Sequence, residues 1–459
     1  MNHSDTINVM QMSPTELIDE SNARFYERFP FPWRPAKFEF LLDPDFVTVM
    51  FNQNLGYWER RSLPEKPAIW VAGCGTNQAL ITALAFPKAT VLGSDLSSES
   101  LELCATTAKG FGVQNLELRN ESINRVSYSE QFDYIICTGV IHHNADPGAT
   151  LNKLVAALKR NGILELMVYN RYERLPTTAF QQAIKLLSGK DSAPDLNHDI
   201  SRARNIIAEL KLTNFTVLTK DTIDQYPECL LADILIQPNE NTFTLDSFEE
   251  LAIASGLEVL HPAADLFDSF TTDPLWNLSF ANADLQRDYH ALPDIKRWRV
   301  TNHLLYQRSP QLWFYFQRRD SSRPRRSEQA ICAEFLQQKF VRTGTSQRSY
   351  LRNEDGSYRL STKPLAYPVS APRGDALAIY QAVGQGSMGE IITHLEQPTT
   401  FEHVNKMRLQ LTTTAHPYLR AVRTTNGSQD FPNEAFKRAR EESNLKKLKT
   451  IKPKPLNLF

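Results

Sequence analysis

Apolar residues in this chain fall in short runs that end in glycine or polar positions. Ile69-Trp70-Val71-Ala72 opens into Gly73-Cys74-Gly75, and Val91-Leu92-Gly93 ends at Ser94-Asp95. Residues 114–121 read as a third strand closing on polar groups. Residues 131–144 read as a fourth that runs into a polar loop, and residues 158–169 as a helix end, a turn and a fifth strand. Helix-like stretches over 97–109 and 147–159 lie between them. Strands alternating with helices of these lengths predict an α/β domain built on a doubly wound parallel sheet.

Outside this core the pattern changes. Residues 1–65 read as a helical lead-in with a proline-rich corner between Pro30 and Pro35. Helical segments are expected over 178–187 and 199–210, and the polar, acidic stretch 225–240 is placed to cover the site. Asp246 with Glu249 three residues on predicts a capped helix start. Leu312-Trp313-Phe314-Tyr315-Phe316 reads as a last strand, so the core domain with its post-core region spans 66–318. The basic, proline-interrupted stretch 318–327 reads as a linker. Residues 328–425 form a smaller C-terminal domain, with a helix near 377–380 and a second starting near Ser387. Residues 426–459 are a basic tail expected to fray.

The chemistry sits at the run ends. In a parallel α/β sheet these ends share the carboxyl edge, where ligands bind. Glycines at 73 and 75 let backbone approach a ligand where a Cβ would collide. Asp95, 20 residues past Gly75, can accept bonds from both hydroxyls of a ribose. A dinucleotide fingerprint would put a third glycine at position 78, and Gln78 stands there. The pattern is Gly-x-Gly-x-Asn, which fits a nucleoside site and departs from the dinucleotide fingerprint, and the order of the downstream elements carries the case.

Taken in order, these elements resemble a class I S-adenosylmethionine-dependent methyltransferase over residues 66–172. Phe25-Tyr26-Glu27-Arg28-Phe29-Pro30-Phe31-Pro32-Trp33 is similar to the "YExxPYPxW" opening of a bacterial methyltransferase group. The likeness continues through Gly139-Val140-Ile141-His142-His143, Tyr169-Asn170-Arg171-Tyr172-Glu173-Arg174 and Ala232-Asp233-Ile234-Leu235-Ile236-Gln237-Pro238, to about residue 318. The resemblance implies a Rossmann-like sheet and S-adenosyl-L-methionine as cofactor. It places Gly73, Gly75, Asn77, Gln78, Asp95, Leu96, Glu121 and Gly139 around that cofactor, with Tyr26 in a lead-in that closes over it. One departure stands out: the acid that often precedes the first glycine by two residues is Val71 here.

His142, His143 and Tyr169 are the catalytic candidates. A histidine near neutral pH accepts a proton; the plainer alternative is that it packs and shapes the loop. Tyr169 either lines the acceptor pocket or packs.

Composition narrows the acceptor. A formal net charge of −1 argues against a nucleic-acid partner. No apolar run approaches a membrane span, and no apolar stretch follows the polar start Met1-Asn2-His3-Ser4-Asp5. The five cysteines are scattered with no C-x-x-C pair, so neither a disulfide framework nor a metal site is indicated, and a reducing cytoplasm is the expected setting. The large post-core region and the extra domain point to a protein or peptide acceptor. A small metabolite is the alternative, and a non-catalytic adaptor the reading from another class. Acceptor atom and oligomeric state stay open.

Overall fold

The computed structural model describes residues 12–58, 62–189, 195–210, 225–263, 276–306 and 311–422. The expected basic tail lies outside the described residues. Helix α1 (Pro14–Arg28) starts on a capping box between Ser13 and Glu16, with Pro14 at the first helical position. It is followed by β1 (Lys37–Leu41) and α2 (Phe46–Asn54). The core then alternates: β2 (Ala68–Ala72), α3 (Gln78–Ala85), β3 (Thr90–Asp95), α4 (Ser98–Phe111), β4 (Leu116–Asn120), β5 (Phe132–Thr138), α5 (Pro147–Ala157), β6 (Leu158–Val168). Helices α6 (Arg171–Ser188), α7 (Leu196–Leu210), α8 (Glu228–Leu235) and α9 (Leu245–Ala254) lead to β7 (Leu257–Pro262). Then come α10 (Ala283–His290), α11 (Asp294–Leu304) and β8 (Leu312–Arg318).

Among the described residues the main sheet has seven strands in the order β4-β3-β2-β5-β6-β8-β7. The first five are parallel, and β8 runs antiparallel between β6 and β7. Strand order reverses at β2, whose neighbours are β3 and β5, so the switch point lies at the Gly73-Cys74-Gly75 end.

The apolar runs divide cleanly between the two faces. Ile69, Val71, Tyr134 and Ile136 belong to one buried cluster, while Trp70, Ala72, Ile135 and Cys137 belong to another. This period of two, with both faces covered, makes parallel strands read as continuous apolar runs. The expected helix over 147–159 ends at Ala157, and Leu158 already pairs with Phe132. A register shift between Phe132 and Tyr134 and the absence of a Cβ at Gly162, where one would meet Leu158 Cδ1 at 2.7 Å, accommodate the long strand.

Three expectations are corrected. The cap of α9 is Thr244 with Ser247, not Asp246 with Glu249; Asp246 is instead engaged by Arg299 and His303. The lead-in is helical but also supplies β1, which pairs antiparallel with β10 (Thr345–Arg352) over Lys37–Leu41. Residues 318–327 are clamped rather than free. Arg323 Nη1 donates to Ser62 O at 2.9 Å, and Arg325 Nη2 donates to Asp294 at 3.0 Å.

The C-terminal region contains α12 (Glu328–Gln337), β9 (Phe340–Arg342), β10, β11 (Tyr358–Leu360) and β12 (Leu365–Tyr367). It continues with α13 (Gly374–Ala382), α14 (Met388–His394), α15 (Phe401–Thr412) and β13 (Leu419–Ala421). Ser387 caps α14 in a capping box with Glu390, as the expected helix start near Ser387 requires. A buried ion network joins this region to the core: Arg297 Nη2 lies 2.8 Å from Asp294 and 2.9 Å from Glu328.

Candidate functional site

The residues expected to form the site stand at the carboxyl ends of β2, β3, β4, β5 and β6, and α1 with the segment after it lies against these ends. Both loop glycines hold positive φ, +74° at Gly73 and +52° at Gly75. Their need for glycine has a source other than the expected ligand. A Cβ at Gly73 would fall 2.4 Å from Val140 Cγ2, and one at Gly75 only 2.3 Å from the Phe31 carbonyl oxygen. The turn is thus packed beneath the lead-in strap. Thr76 N–H donates to Phe31 O at 3.1 Å, and Thr76 Oγ1 donates to Pro32 O at 2.5 Å. Asn77 Nδ2 reaches Trp33 O at 3.4 Å, and Gln78 Nε2 donates to Thr138 Oγ1 at 2.6 Å, tying the turn to the end of β5.

Asp95 closes β3 beside this turn. One carboxylate oxygen accepts Gly75 N–H at 2.8 Å and the other accepts Ser97 N–H at 2.9 Å. A carboxylate offers about four acceptor positions, so roughly two remain for a ligand's hydroxyls. Burial pushes the Asp95 carboxyl up, against the N–H groups that hold it down. Leu96 next to it is half-buried and presents an apolar face. Gly139, at φ +79°, meets nothing closer than Met167 Cε at 3.7 Å, so the backbone there is open. Glu121 is turned aside: its carboxylate accepts the Tyr128 hydroxyl at 2.5 Å.

The other half of the site is a buried polar cluster. His142 is 0% exposed, lies 4.0 Å from the Tyr169 ring between centroids, and has no hydrogen-bond partner on either ring nitrogen among the described residues. His143 Nδ1 lies 2.8 Å from the Asn239 carbonyl oxygen. Burial pulls both imidazoles below their ordinary value. The Tyr169 hydroxyl donates to Asp233 at 3.0 Å, and the Tyr26 hydroxyl donates to the other oxygen of Asp233 at 3.1 Å. Arg174 lies over the Tyr169 ring at 4.0 Å and makes a buried two-pronged pair with Glu240 at 2.8 and 2.5 Å. Helix α1 is pinned across the edge by Asn22, which donates to His143 O at 2.8 Å. Glu27, in turn, accepts Ser98 N–H at 2.6 Å.

The structure therefore brings Tyr26, His142, His143 and Tyr169 together, and sets Gly73, Gly75, Asn77, Gln78, Asp95, Leu96 and Gly139 around the adjoining turn. Asp233, Glu240, Arg174 and Asn22 were not singled out from the sequence. Arg174 and Asp233 do sit inside the quoted stretches 169–174 and 232–238, which was the available signal. No group of three or more potential metal-ligating side chains occurs among the described residues.

Residues 70–164 match the family described as a methyltransferase domain. The chain carries a methyltransferase domain. Its fold matches PKMT2 from Rickettsia typhi with a TM-score of 0.53 at 16% identity, covering 86% of this chain and 78% of that one. The same protein has also been solved in complex with AdoHcy. An uncharacterized protein of Synechococcus is 27% identical over 302 residues, 62% of this chain and 68% of that protein. A tRNA U34 carboxymethyltransferase of Campylobacter jejuni is 28% identical over 182 residues, and that match spans 34% of this chain and 58% of the relative. The seven-stranded sheet and the matched domain together make this a class I methyltransferase fold. No helix among the described residues is long and apolar enough to cross a membrane.

Proposed function

We propose that this chain transfers the methyl group of S-adenosylmethionine to a protein or peptide acceptor. The observation that carries the cofactor half is Asp95. It stands at the switch point beside the glycine turn, with acceptor positions left over after Gly75 and Ser97 are served. In this reading Asp95 takes the ribose hydroxyls, Leu96 lines one face of the adenine, and Glu121 reaches its edge by leaving Tyr128. Gly73, Gly75, Asn77, Gln78 and Gly139 shape the floor, while Tyr26 and the strap over Thr76 close the methionine end, where Val71 supplies no charge. When bound, the cofactor contributes a methyl group already activated on a sulfonium. The protein's task is then to hold the acceptor in line and exclude water. The pinned α1 and the buried cluster of Tyr26, His142, His143 and Tyr169 suit that task.

The acceptor half rests on the C-terminal region. Its sheet runs through β1 directly into the strap, where Tyr358 donates to Pro35 O at 2.8 Å. Strands β11 and β12 leave Leu360 and Leu365 exposed at the far side of that sheet. An extended polypeptide can add to such an edge through its main chain. The formal net charge of −1 does not favour a polyanionic acceptor. The test is incubation of lysate with methyl-labelled cofactor, with and without the enzyme. Label in the protein fraction supports the reading, and label confined to small molecules or to RNA contradicts it.

A further inference from the structure

Resting on the methyl-transfer reading, we infer that His143, Tyr26 and Tyr169 form a set of hydrogen-bond acceptors that selects an N–H or O–H methyl acceptor over a carbon one. We infer further that His143 Nε2 receives the acceptor's proton, and that Asp233 is the positioning residue that orients the set.

The tautomer of His143 follows from its partner. A carbonyl oxygen only accepts, so the nitrogen 2.8 Å from Asn239 O is the one that bears hydrogen. In a neutral imidazole the other nitrogen then carries a lone pair. That nitrogen, Nε2, is buried and has no hydrogen-bond partner among the described residues. A buried polar atom left in this state calls for a ligand or a water. His142, tilted against the Tyr169 ring, also leaves both nitrogens unpartnered among the described residues, but no neighbour fixes its tautomer, so the base is assigned to His143.

Asp233 does the same for the two phenols. Its two oxygens accept from Tyr26 at 3.1 Å and from Tyr169 at 3.0 Å. With each phenolic hydrogen committed to Asp233, each phenol oxygen has only lone pairs to offer a third group; the Gln237 amide takes one of those on Tyr26 and leaves the other. Burial and the Asp233 charge hold both phenols well above their ordinary pKa, so the hydrogens stay in place. The His143 ring lies edge-on to Tyr169 at 5.7 Å and to Tyr26 at 6.5 Å between centroids, so the three acceptors share one neighbourhood. The charged groups facing His143 are Asp233 on α8, Glu240 after it, and Arg174 on α6. The first two favour its protonated form and the last opposes it.

A bond forms between the acceptor nitrogen or oxygen and the methyl carbon. The methyl–sulfur bond breaks with its electron pair remaining on sulfur. The acceptor's proton passes to His143 Nε2, giving an imidazolium that Asp233 and Glu240 stabilise. A carbon nucleophile brings no N–H or O–H to satisfy three acceptors.

The test compares wild type with His143→Gln, Asp233→Asn and Tyr169→Phe. Calorimetry with S-adenosylmethionine is run first. Absence of binding in wild type contradicts the methyl-transfer reading itself, separately from this inference. Given binding, His143→Gln is expected to retain cofactor affinity and to lose about 10²-fold or more in labelled-methyl transfer into lysate. Wild type is expected to slow as pH drops through the His143 ionisation, and His143→Gln to lose that dependence. Tyr169→Phe, which keeps the ring contacts with His142 and His143, is expected to slow transfer at unchanged cofactor affinity. Asp233→Asn is expected to raise KM for the acceptor as well as lower kcat, because an amide leaves one phenol turned the wrong way. Nitrogen NMR of the free protein should find His143 protonated on Nδ1. The inference is overturned by an Nε2-protonated His143, by an unaltered rate and pH profile in His143→Gln, or by label mapped to carbon. It is equally overturned if no pool is labelled while the cofactor binds.

Discussion

Replacing Gly75 by Ala tests how tightly the lead-in strap is seated on the glycine turn. The new Cβ would lie 2.3 Å from the Phe31 carbonyl oxygen, which is backbone and has no side-chain freedom to yield. The residue would also keep φ near +52°, a left-handed conformation costing an L-residue about 1–2 kcal/mol. Relieving the clash means moving Phe31 and Pro32 off the turn. That breaks the bonds from Thr76 N–H at 3.1 Å and Thr76 Oγ1 at 2.5 Å. At about 1 kcal/mol net for each bond, the total is about 3–4 kcal/mol. A domain of ordinary stability survives that loss, so the expected result is a folded protein with a loosened strap. Hydrogen exchange at residues 25–34 and 74–78 reads this directly, and calorimetry should show weakened binding of S-adenosylmethionine. Gly110→Ala is the control. Gly110 sits within α4 with nothing within 4 Å of the added Cβ, so this change should be neutral or slightly stabilising. Unchanged protection of the strap in Gly75→Ala would refute the reasoning.

Acid stability offers a second check, because burial holds His142 and His261 well below the ordinary histidine value. Below about pH 6.5 the unfolded chain binds protons that the folded one does not, so stability falls as pH drops. Two such groups cost about 2 kcal/mol between pH 6.5 and 5.5. Urea midpoints at the two pH values measure the loss, and a His142→Gln, His261→Gln pair that loses just as much would contradict it. Glu328→Ala leaves the buried Arg408 without this carboxylate, while Arg297 keeps Asp294. Unfolding should become easier by about 3–5 kcal/mol, and a change under about 1 kcal/mol would mean the network does not hold the C-terminal region. Trp70→Ala empties a fully buried site packed by Tyr128 and Phe132, with an expected loss of about 3–5 kcal/mol in the same assay.

The core strands were readable because their signal is local. Ile69 and Trp70 face opposite sides of β2, so a parallel strand covered on both sides shows an unbroken apolar run, and the glycines and Asp95 mark where it stops. The Ser387 cap of α14 was readable for the same reason, since both partners of a capping box lie within four residues. Where local signals competed, the reading slipped. Thr244 and Asp246 both offer an oxygen near the start of α9, and the tertiary claim of Arg299 on Asp246 decided between them. Strand β1 could not be read because its partner β10 lies some 310 residues away and supplies the reason for it to be extended. Asp233 and Glu240 were opaque on the same ground: each is a single carboxylate whose meaning comes from Tyr26, Tyr169 or Arg174 on other elements. For Gly75 the sequence offered one reason, close approach of a ligand, and the structure adds another: the Phe31 carbonyl occupies the space a Cβ would take.

The central claim is that Asp95 at the end of β3 holds the ribose of S-adenosylmethionine beside the glycine turn. Calorimetric titration of the full-length protein with S-adenosylmethionine and S-adenosylhomocysteine, in wild type and Asp95→Ala, measures it. The account predicts saturable binding by wild type and a loss of about 1.5–3 kcal/mol in the variant, roughly 10- to 150-fold in affinity, as bonds to a charged acceptor disappear. No binding by wild type would contradict the cofactor assignment, and equal affinity in Asp95→Ala would contradict the site.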